Sequence, residues 1–285
     1  MTISISSSAM LVDLSISTWT ARKLDKNVTN EVNTSKKASQ QASRVNKNLL
    51  PGVQQLDEIT KLAAAARNYM ASRTLPWSDY GPRLITTDKF FDFKQAMDEY
   101  EQTYNEKVQE FLNAYPTLIS MQAFKLGDMF DRDEYPDVDE IANKFRFNIA
   151  YLPVPETGDF RVDIGHEALE EVRAQYEREY EQRLENAMNE VRDRILDSLR
   201  HLSERLTDND DGTRKKFRNN VLDSFAETIA SVRALNLTKD QAIDAMANEA
   251  EKAIQGVDVD SLKESKDMRD DVRARVESVL DAFSI

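Results

Sequence analysis

One regular apolar stripe in the second half of the chain limits what this sequence can fold into. Eleven apolar residues span 37 positions in ten intervals, which gives about 3.7 residues per interval. They are Leu169, Val172, Tyr176, Tyr180, Leu184, Met188, Val191, Ile195, Leu199, Leu202 and Leu206. This is the period of a straight α-helix, about 60 Å long at 1.5 Å per residue. We expect one long helix whose apolar face is covered by a returning helix or by another subunit.

The rest of the C-terminal part is also predicted to be helical. A polar turn at residues 208–212 follows the stripe, and apolar residues at helical spacing between 217 and 232 indicate a returning helix. Thr238 is a candidate cap for a further helix, and another is expected over about 261–283. We therefore predict a helical domain over 166–285, built as a long, coiled-coil-like hairpin with two packing helices.

The N-terminal part mixes strand and helix patterns. Val12, Leu14 and Ile16 alternate with polar residues, which predicts a half-buried strand, and two further strands are expected at 144–154 and 159–165. Helices are expected at about 21–49, 54–72, 88–114 and 117–127, with Pro116 separating the last two. The sequence thus predicts a mainly α protein with a small α+β part over 1–165.

Composition excludes several classes of function. The 285 residues include 51 acidic and 38 basic side chains, a net charge of −13, and no cysteine, which excludes disulfides, thiolate catalysis and cysteine-bound metals. The seven glycines all stand alone, whereas phosphate-binding loops need clustered glycines. No apolar run reaches the roughly 18 residues that a membrane span needs. We expect a cytoplasmic protein without a membrane contact, a cofactor or an enzymatic activity.

The segment TLPWSDYGPR, residues 74–83, interrupts the helical pattern with two prolines, a glycine and a tryptophan. Tryptophan, tyrosine and arginine dominate binding energy at protein interfaces, and prolines lower the cost of ordering a loop. Trp77, Tyr80 and Arg83 are therefore candidate partner-binding anchors. The alternative is a structural loop in which Trp77 closes the end of a helical core, with Asp79 or Ser78 bonding turn amides.

The first 50 residues carry a local positive charge, with seven basic against three acidic side chains. A basic helix in this region could follow a phosphate backbone while Trp19 or Trp77 stacks on bases. The candidate nucleic-acid-binding residues are Lys36, Lys37, Arg44 and Lys47. The alternatives are a plain charged helix face and a protein contact.

Three other groups of residues could carry chemistry. Residues 128–140 hold seven carboxylates, which fit a magnesium-like cation, a solvated loop or a partner surface. A metal-dependent enzyme would first implicate Asp133 and Asp137. The turn at 208–212 lacks the acids that a calcium loop needs at its first and twelfth positions. His166 and His201 lack the Glu-x-x-His spacing of di-iron bundles, so structural roles are expected and no metal site is predicted.

The order of local patterns resembles a family of uncharacterised tailed-phage proteins. The patterns are LSISTWTARKLDKNVTNEV, AARNYMASRTLPWSDYGPRLI, FLNAYPTLI, FDRDEYPDVDEIANKFRF and PVPETGDFRVDI, and they cover roughly residues 10–165. Related families are encoded beside a MoxR-type AAA+ ATPase and a partner of the metal-ion-dependent-adhesion type, similar to a chelatase-like module. The resemblance implies an accessory or adaptor role in the host cytoplasm, and it carries no catalytic residues over to this chain.

Together these patterns predict a non-enzymatic, phage-type adaptor or scaffolding protein. It would act through protein–protein contacts or self-assembly, with an AAA+ ATPase as one candidate partner and a homo-oligomer as another. The alternative prediction is a single-stranded nucleic-acid-binding or annealing protein that uses the basic residues of the N-terminal helix.

Overall fold

The computed structural model describes residues 5–78, 81–155, 166–208, 215 and 217–283, with the backbone alone at 166–169. The strands are β1 (Ala9–Ser17), β2 (Arg22–Leu24), β3 (Asn46–Asn48), β4 (Leu75–Pro76), β5 (Arg83–Thr86) and β6 (Arg146–Pro153). The α-helices are α1 (Lys26–Ser35), α2 (Gln54–Arg73), α3 (Phe90–Leu126), α4 (Val138–Ala142), α5 (His166–Leu206), α6 (Val221–Ala234), α7 (Gln241–Ile254), α8 (Val259–Glu264) and α9 (Lys266–Phe283). The predicted class, mainly α with a small α+β part near the N-terminus, is confirmed.

The strands form two small sheets. Four strands pair in the order β4-β5-β1-β6, and β1 runs antiparallel to β5 with Ala9 opposite Thr86 and Val12 opposite Arg83. The strand expected around Val12, Leu14 and Ile16 is therefore present as β1, and the one expected at 144–154 is present as β6. The strand expected at 159–165 lies outside the described residues. A second sheet pairs β2 with β3, antiparallel.

The chain divides into two compact units that are not continuous in sequence. Unit 1 comprises Met1–Asp13, Met70–Phe93 and Ala150–Ile285, and unit 2 comprises Leu14–Tyr69 and Lys94–Ile149. The domain boundary expected between residues 165 and 166 lies at the edge of a stretch outside the described residues.

The core of unit 1 forms around the long helix that the apolar stripe predicts. Along α5, the buried stripe from Tyr180 to Leu206 faces α6, α7 and α9, which contribute Phe225, Ile243 and Val276 to the same core. Each of these helices turns one apolar face inward, as amphipathic helices of a bundle do. This part of the stripe is thus covered by helices of its own chain and gives no support to the expected homo-oligomer, which stays a prediction.

The core of unit 2 is rich in aromatic side chains. The ring of Trp19 packs edge-on against Tyr115 with 5.8 Å between centroids, and Phe111 contacts both rings. Buried hydroxyl groups find backbone acceptors: Tyr104 donates to the carbonyl of Ser17, and Tyr135 donates to the carbonyl of Leu49 at 2.7 Å. Aromatic rings therefore supply much of the buried apolar area, and their hydroxyl groups hold loops in place.

The break expected at Pro116 is wrong, because α3 continues through that residue to Leu126. Proline removes one helical hydrogen bond and crowds the preceding turn. Here Tyr115 and Ile119, on either side of the proline, are both buried, and the Tyr115 hydroxyl donates to the carbonyl of Pro136 at 3.1 Å. Packing of these two side chains in the core offsets the free-energy cost of a proline inside the helix.

The single helix expected over 21–49 is also wrong, because only α1 is helical there and β2 and β3 flank it. The side chains that α1 buries are the polar Thr29 and Asn33 rather than the valines. The Asn33 amide donates to the carbonyl of Gln40 and accepts from the Ser43 hydroxyl, which folds the following loop back onto the helix. Lys37, with φ of 53°, turns the chain out of the helix.

Two helix boundaries differ from expectation in the C-terminal part. The cap of α7 is Asp240, whose carboxylate accepts from the Ala242 amide at 2.8 Å, and not Thr238. The helix expected over about 261–283 is divided into α8 and α9 at Ser265, which has an extended backbone. In the described part of the chain, no helix combines the length and the apolar character needed to cross a membrane.

Candidate functional site

Trp77, the first candidate anchor of the 74–83 loop, is buried rather than presented to solvent. Its side chain is 5% exposed, and its ring packs edge-on against Tyr180 of α5 with 5.3 Å between centroids. The guanidinium group of Arg183 lies over the same ring at 6.0 Å, a cation–π contact. In this conformation Trp77 closes the end of the helical core, so it is not available as an exposed anchor.

Arg83, the second candidate anchor, binds the end of α2. Its guanidinium group donates to the Thr74 hydroxyl at 2.7 Å and to the carbonyls of Thr74 and Ala71 at 3.1 and 3.4 Å. Burial, with a smaller contribution from nearby Arg194, lowers the pKa of Arg83. The last carbonyls of a helix lack partners within the helix, so arginine donors stabilise its end. Tyr80, the third candidate anchor, lies outside the described residues, as does Asp79.

Arg194 of α5 supports the same helix end. Its guanidinium group donates to the carbonyls of Ala71 and Thr74, each at 3.0 Å, and of Ser72 at 3.4 Å. Two arginines from distant parts of the sequence therefore complete one helix terminus. Of the candidate anchors, the structure describes Trp77 and Arg83, and both make contacts inside unit 1.

The four candidate nucleic-acid-binding residues fall into two groups. Lys36, Lys37 and Arg44 are exposed on the loop between α1 and β3. Lys47 is 6% exposed; its ammonium group donates to the carbonyl of Met129 at 2.7 Å and pairs with Glu134, with Asp25 at 3.9 Å. Lys47 is thus a buried cation paired within unit 2, unlike the three exposed candidates, and its assignment to a phosphate-contacting surface gains no support from this position.

An exposed apolar surface occurs instead at the C-terminal end of α3. Phe124 is 93% exposed and Met121, one helical turn earlier, is 51% exposed. We call these two side chains the α3 apolar surface. The buried stripe of the same turns is Leu118, Ile119 and Gln122, so both exposed residues point away from the core of unit 2. Their position off that stripe is the one signal in the sequence from which their exposure could have been inferred.

An acidic stretch follows this surface directly in sequence. Residues 128–140 carry seven carboxylates and one arginine, on two short 3₁₀ turns and α4. Glu134 pairs with Lys47, and the Asp131 carboxylate accepts from the amide of Asp133. Among the described residues, which include this whole stretch, no group of three histidine, aspartate or glutamate side chains is arranged to hold a metal ion.

The two histidines lie apart from the α3 apolar surface in sequence. The side chain of His166 lies outside the described part of the chain, and His201 is exposed on α5 near the start of α6. His201 lines a small cavity together with two arginines, Arg205 and Arg218.

No protein-family model, no curated protein and no solved structure matches this chain. The resemblance to tailed-phage proteins therefore stays a prediction.

Proposed function

We propose that this chain is a non-enzymatic binding or scaffolding protein that contacts a protein partner through the α3 apolar surface. The observation that carries the proposal is the 93% exposure of Phe124, one turn from half-exposed Met121. Burying a phenylalanine side chain contributes about 1.5–3 kcal/mol, and the folding of unit 2 leaves that contribution unused. Aromatic and methionine side chains are enriched at protein interfaces.

The charge beside this surface indicates which partner it fits. Glu134 pairs with Lys47 and Glu140 with Lys144, which leaves five of the seven carboxylates in 128–140, and four of those five lie within thirteen residues of Phe124. Complementary charges speed association and select among partners. The partner is therefore a protein segment with an apolar face flanked by lysine or arginine. The AAA+ ATPase suggested by the resemblance is one class in which such a segment is to be sought.

The non-enzymatic part of the proposal is supported by where perturbed ionisable groups lie. The most strongly shifted pKa values belong to Tyr104, Tyr115 and Tyr135, which are raised by burial in the core of unit 2. Asp240 and Asp258 have lowered pKa values, first because backbone amides at helix starts donate to them. Catalytic sites combine shifted groups in a cleft. Here the three strongest shifts belong to core hydroxyls, and the two lowered carboxyl pKa values belong to helix caps.

A defined peptide tests the proposal. The probe is a labelled amphipathic helix with leucines on one face and lysines on the other, and fluorescence anisotropy measures its affinity for the full chain. We expect the double variant M121Q/F124S to weaken binding by at least about ten-fold. The matched control is F91S, which removes another largely exposed phenylalanine (78%), from unit 1, and is expected to leave the affinity unchanged.

Two results would overturn the proposal. Equal affinity of M121Q/F124S and the unchanged protein would remove the α3 apolar surface from the contact. Equal affinity for a peptide with glutamates in place of lysines would remove the contribution of the acidic stretch. Light scattering over a concentration series, on the same samples, separates partner binding from self-association.

The nucleic-acid alternative is favoured by one observation. Lys36, Lys37 and Arg44 are exposed within nine residues, and none of them has an ion pair within the described chain. If they bind single-stranded DNA, affinity falls steeply between about 50 and about 200 mM salt. The triple variant K36E/K37E/R44E should then abolish binding, while Lys47 is left intact because it holds unit 2 together. No salt-sensitive binding by the unchanged protein would remove this alternative.

A further inference from the structure

Unit 1 contains a small cavity that the proposed protein contact does not use. It lies between the last turns of α5 and the first turns of α6 and has a volume of about 230 Å³. Leu202 and Phe225, both buried, form an apolar base, and Val221 adds to it. A water molecule occupies about 30 Å³ in the liquid, so this volume suits a ligand on the order of ten non-hydrogen atoms.

The charged side chains among the described residues that line this cavity are all of one sign. Arg205 reaches it from α5 and Arg218 from the residues before α6, with His201 one turn before Arg205. None of its lining residues, all within the described chain, is a carboxylate. Neither arginine makes an ion pair with another described residue. In a chain with a net charge of −13, it is unusual that two guanidinium groups at one cavity have no ion pair with any described residue.

The start of α6 adds to this positive character. The N-terminal end of a helix carries a partial positive charge and amides without helical partners. The side chain of Asn220, at the cap position, makes no capping hydrogen bond to those amides. Asn220 and Ser224 both line the cavity, so polar groups stand beside the two arginines.

We propose that this cavity binds a small phosphate monoester whose organic part is apolar. Guanidinium groups bind the oxygens of a phosphate through paired, charge-assisted hydrogen bonds. The apolar base formed by Leu202, Val221 and Phe225 takes the organic part, and the cavity volume limits it to about the size of one aromatic ring. This inference goes beyond the proposed protein contact and does not depend on it.

Calorimetric titration of the full chain tests the site, with phenyl phosphate, inorganic phosphate and phenol as separate probes. We expect phenyl phosphate to bind, inorganic phosphate to bind at least about ten-fold more weakly, and phenol to give no saturable heat. Raising the salt concentration should weaken phenyl phosphate binding, because the contact is between charges.

Two variants locate the binding. R205Q and R218Q should each lower the affinity for phenyl phosphate by about ten-fold or more, and both residues are exposed, so the fold is expected to persist. The matched control is R200Q, which removes an exposed arginine of the same helix that pairs with Asp197 and does not line the cavity. Circular dichroism and thermal midpoints confirm that the variants are folded.

Three outcomes would overturn the proposal. The first is no saturable heat with phenyl phosphate up to about 10 mM, which corresponds to a negligible affinity. The second is equal affinity in R205Q, R218Q and R200Q. The third is equal affinity for phenol and phenyl phosphate, which would make the cavity an apolar pocket without anion recognition.

Discussion

The ammonium group of Lys47 forms a buried ion pair with the carboxylate of Glu134. The two side chains are 5% and 16% exposed, and the same ammonium group donates to the carbonyl of Met129. The pair joins β3 to the acidic stretch at 128–140 within unit 2. One carboxylate of that stretch, that of Glu134, therefore has a structural role. A count of acidic residues in the sequence cannot distinguish such a buried, paired carboxylate from a solvated one.

Replacing Lys47 with alanine should destabilise unit 2 by about 3 kcal/mol, because Glu134 would keep a buried charge without its partner. Urea unfolding followed by circular dichroism measures the change. The control is K36A, an exposed lysine at the end of α1, for which a change within about 0.5 kcal/mol is expected. Equal midpoints for the two variants would show that Lys47 is not a structural cation.

Replacing Trp77 with alanine should destabilise unit 1 by about 3–5 kcal/mol, because the substitution leaves a cavity against Tyr180. The control is F91A, which truncates an exposed ring of the same unit and should lower the free energy of unfolding far less. Acrylamide should quench the fluorescence of the folded protein weakly, since both tryptophans are at most 9% exposed. A stable W77A protein with strongly quenched wild-type fluorescence would restore the exposed-anchor interpretation.

Replacing Arg194 with alanine should destabilise unit 1 by about 2 kcal/mol, because the final carbonyls of α2 lose charged donors. R194K should recover only part of the loss, since an ammonium group cannot donate to several carbonyls in the fixed planar geometry of a guanidinium. R200A is the control: its ion pair with Asp197 is exposed and contributes at most a few tenths of a kcal/mol. A loss as large in R200A would contradict this assignment.

Buried tyrosines should make the protein lose stability at high pH. Burial raises the pKa of Tyr104 and of Tyr135 to about 12, whereas a tyrosine in the unfolded chain ionises near about 10. The folded state therefore binds these protons more tightly. The resulting contribution to the free energy of unfolding is fully present below about pH 10 and is lost as the pH rises from there to about 12.

Urea midpoints measured from about pH 8 to about pH 12 test this dependence, and ultraviolet absorbance follows tyrosine ionisation directly. The double variant Y104F/Y135F should start from a lower stability, because two hydrogen bonds to backbone carbonyls are lost, and should fall less steeply with pH. A midpoint that stays constant over this range would contradict the raised pKa values.

Patterns with a regular period were predicted well from sequence. The stripe of α5 and the alternation of β1 both appear at nearly the expected residues, because one buried face imposes its period on neighbouring positions. The same reasoning failed over 21–49, where valines spaced by four suggested a long helix. There the buried residues are Thr29 and Asn33, and hydrogen bonds from their side chains shape the loop.

Candidate sites were harder to predict because exposure depends on distant residues. The residue types of Trp77 and Lys47 suited recognition, yet each is buried by a partner far along the chain, Tyr180 and Glu134. Phe124 shows the reverse: it lies in an apolar helical segment typical of a core and is almost fully exposed.

The sequence by itself determined the helical character of this protein, its long α5 helix, the strand alternation and the absence of cysteine chemistry. Tertiary structure alone decided which side chains meet, which helix continues through Pro116, and which apolar and charged groups remain at the surface. The physical reason is that periodicity and local propensity act between neighbours in sequence. Burial and ion pairing, by contrast, are set by residues brought together from distant segments.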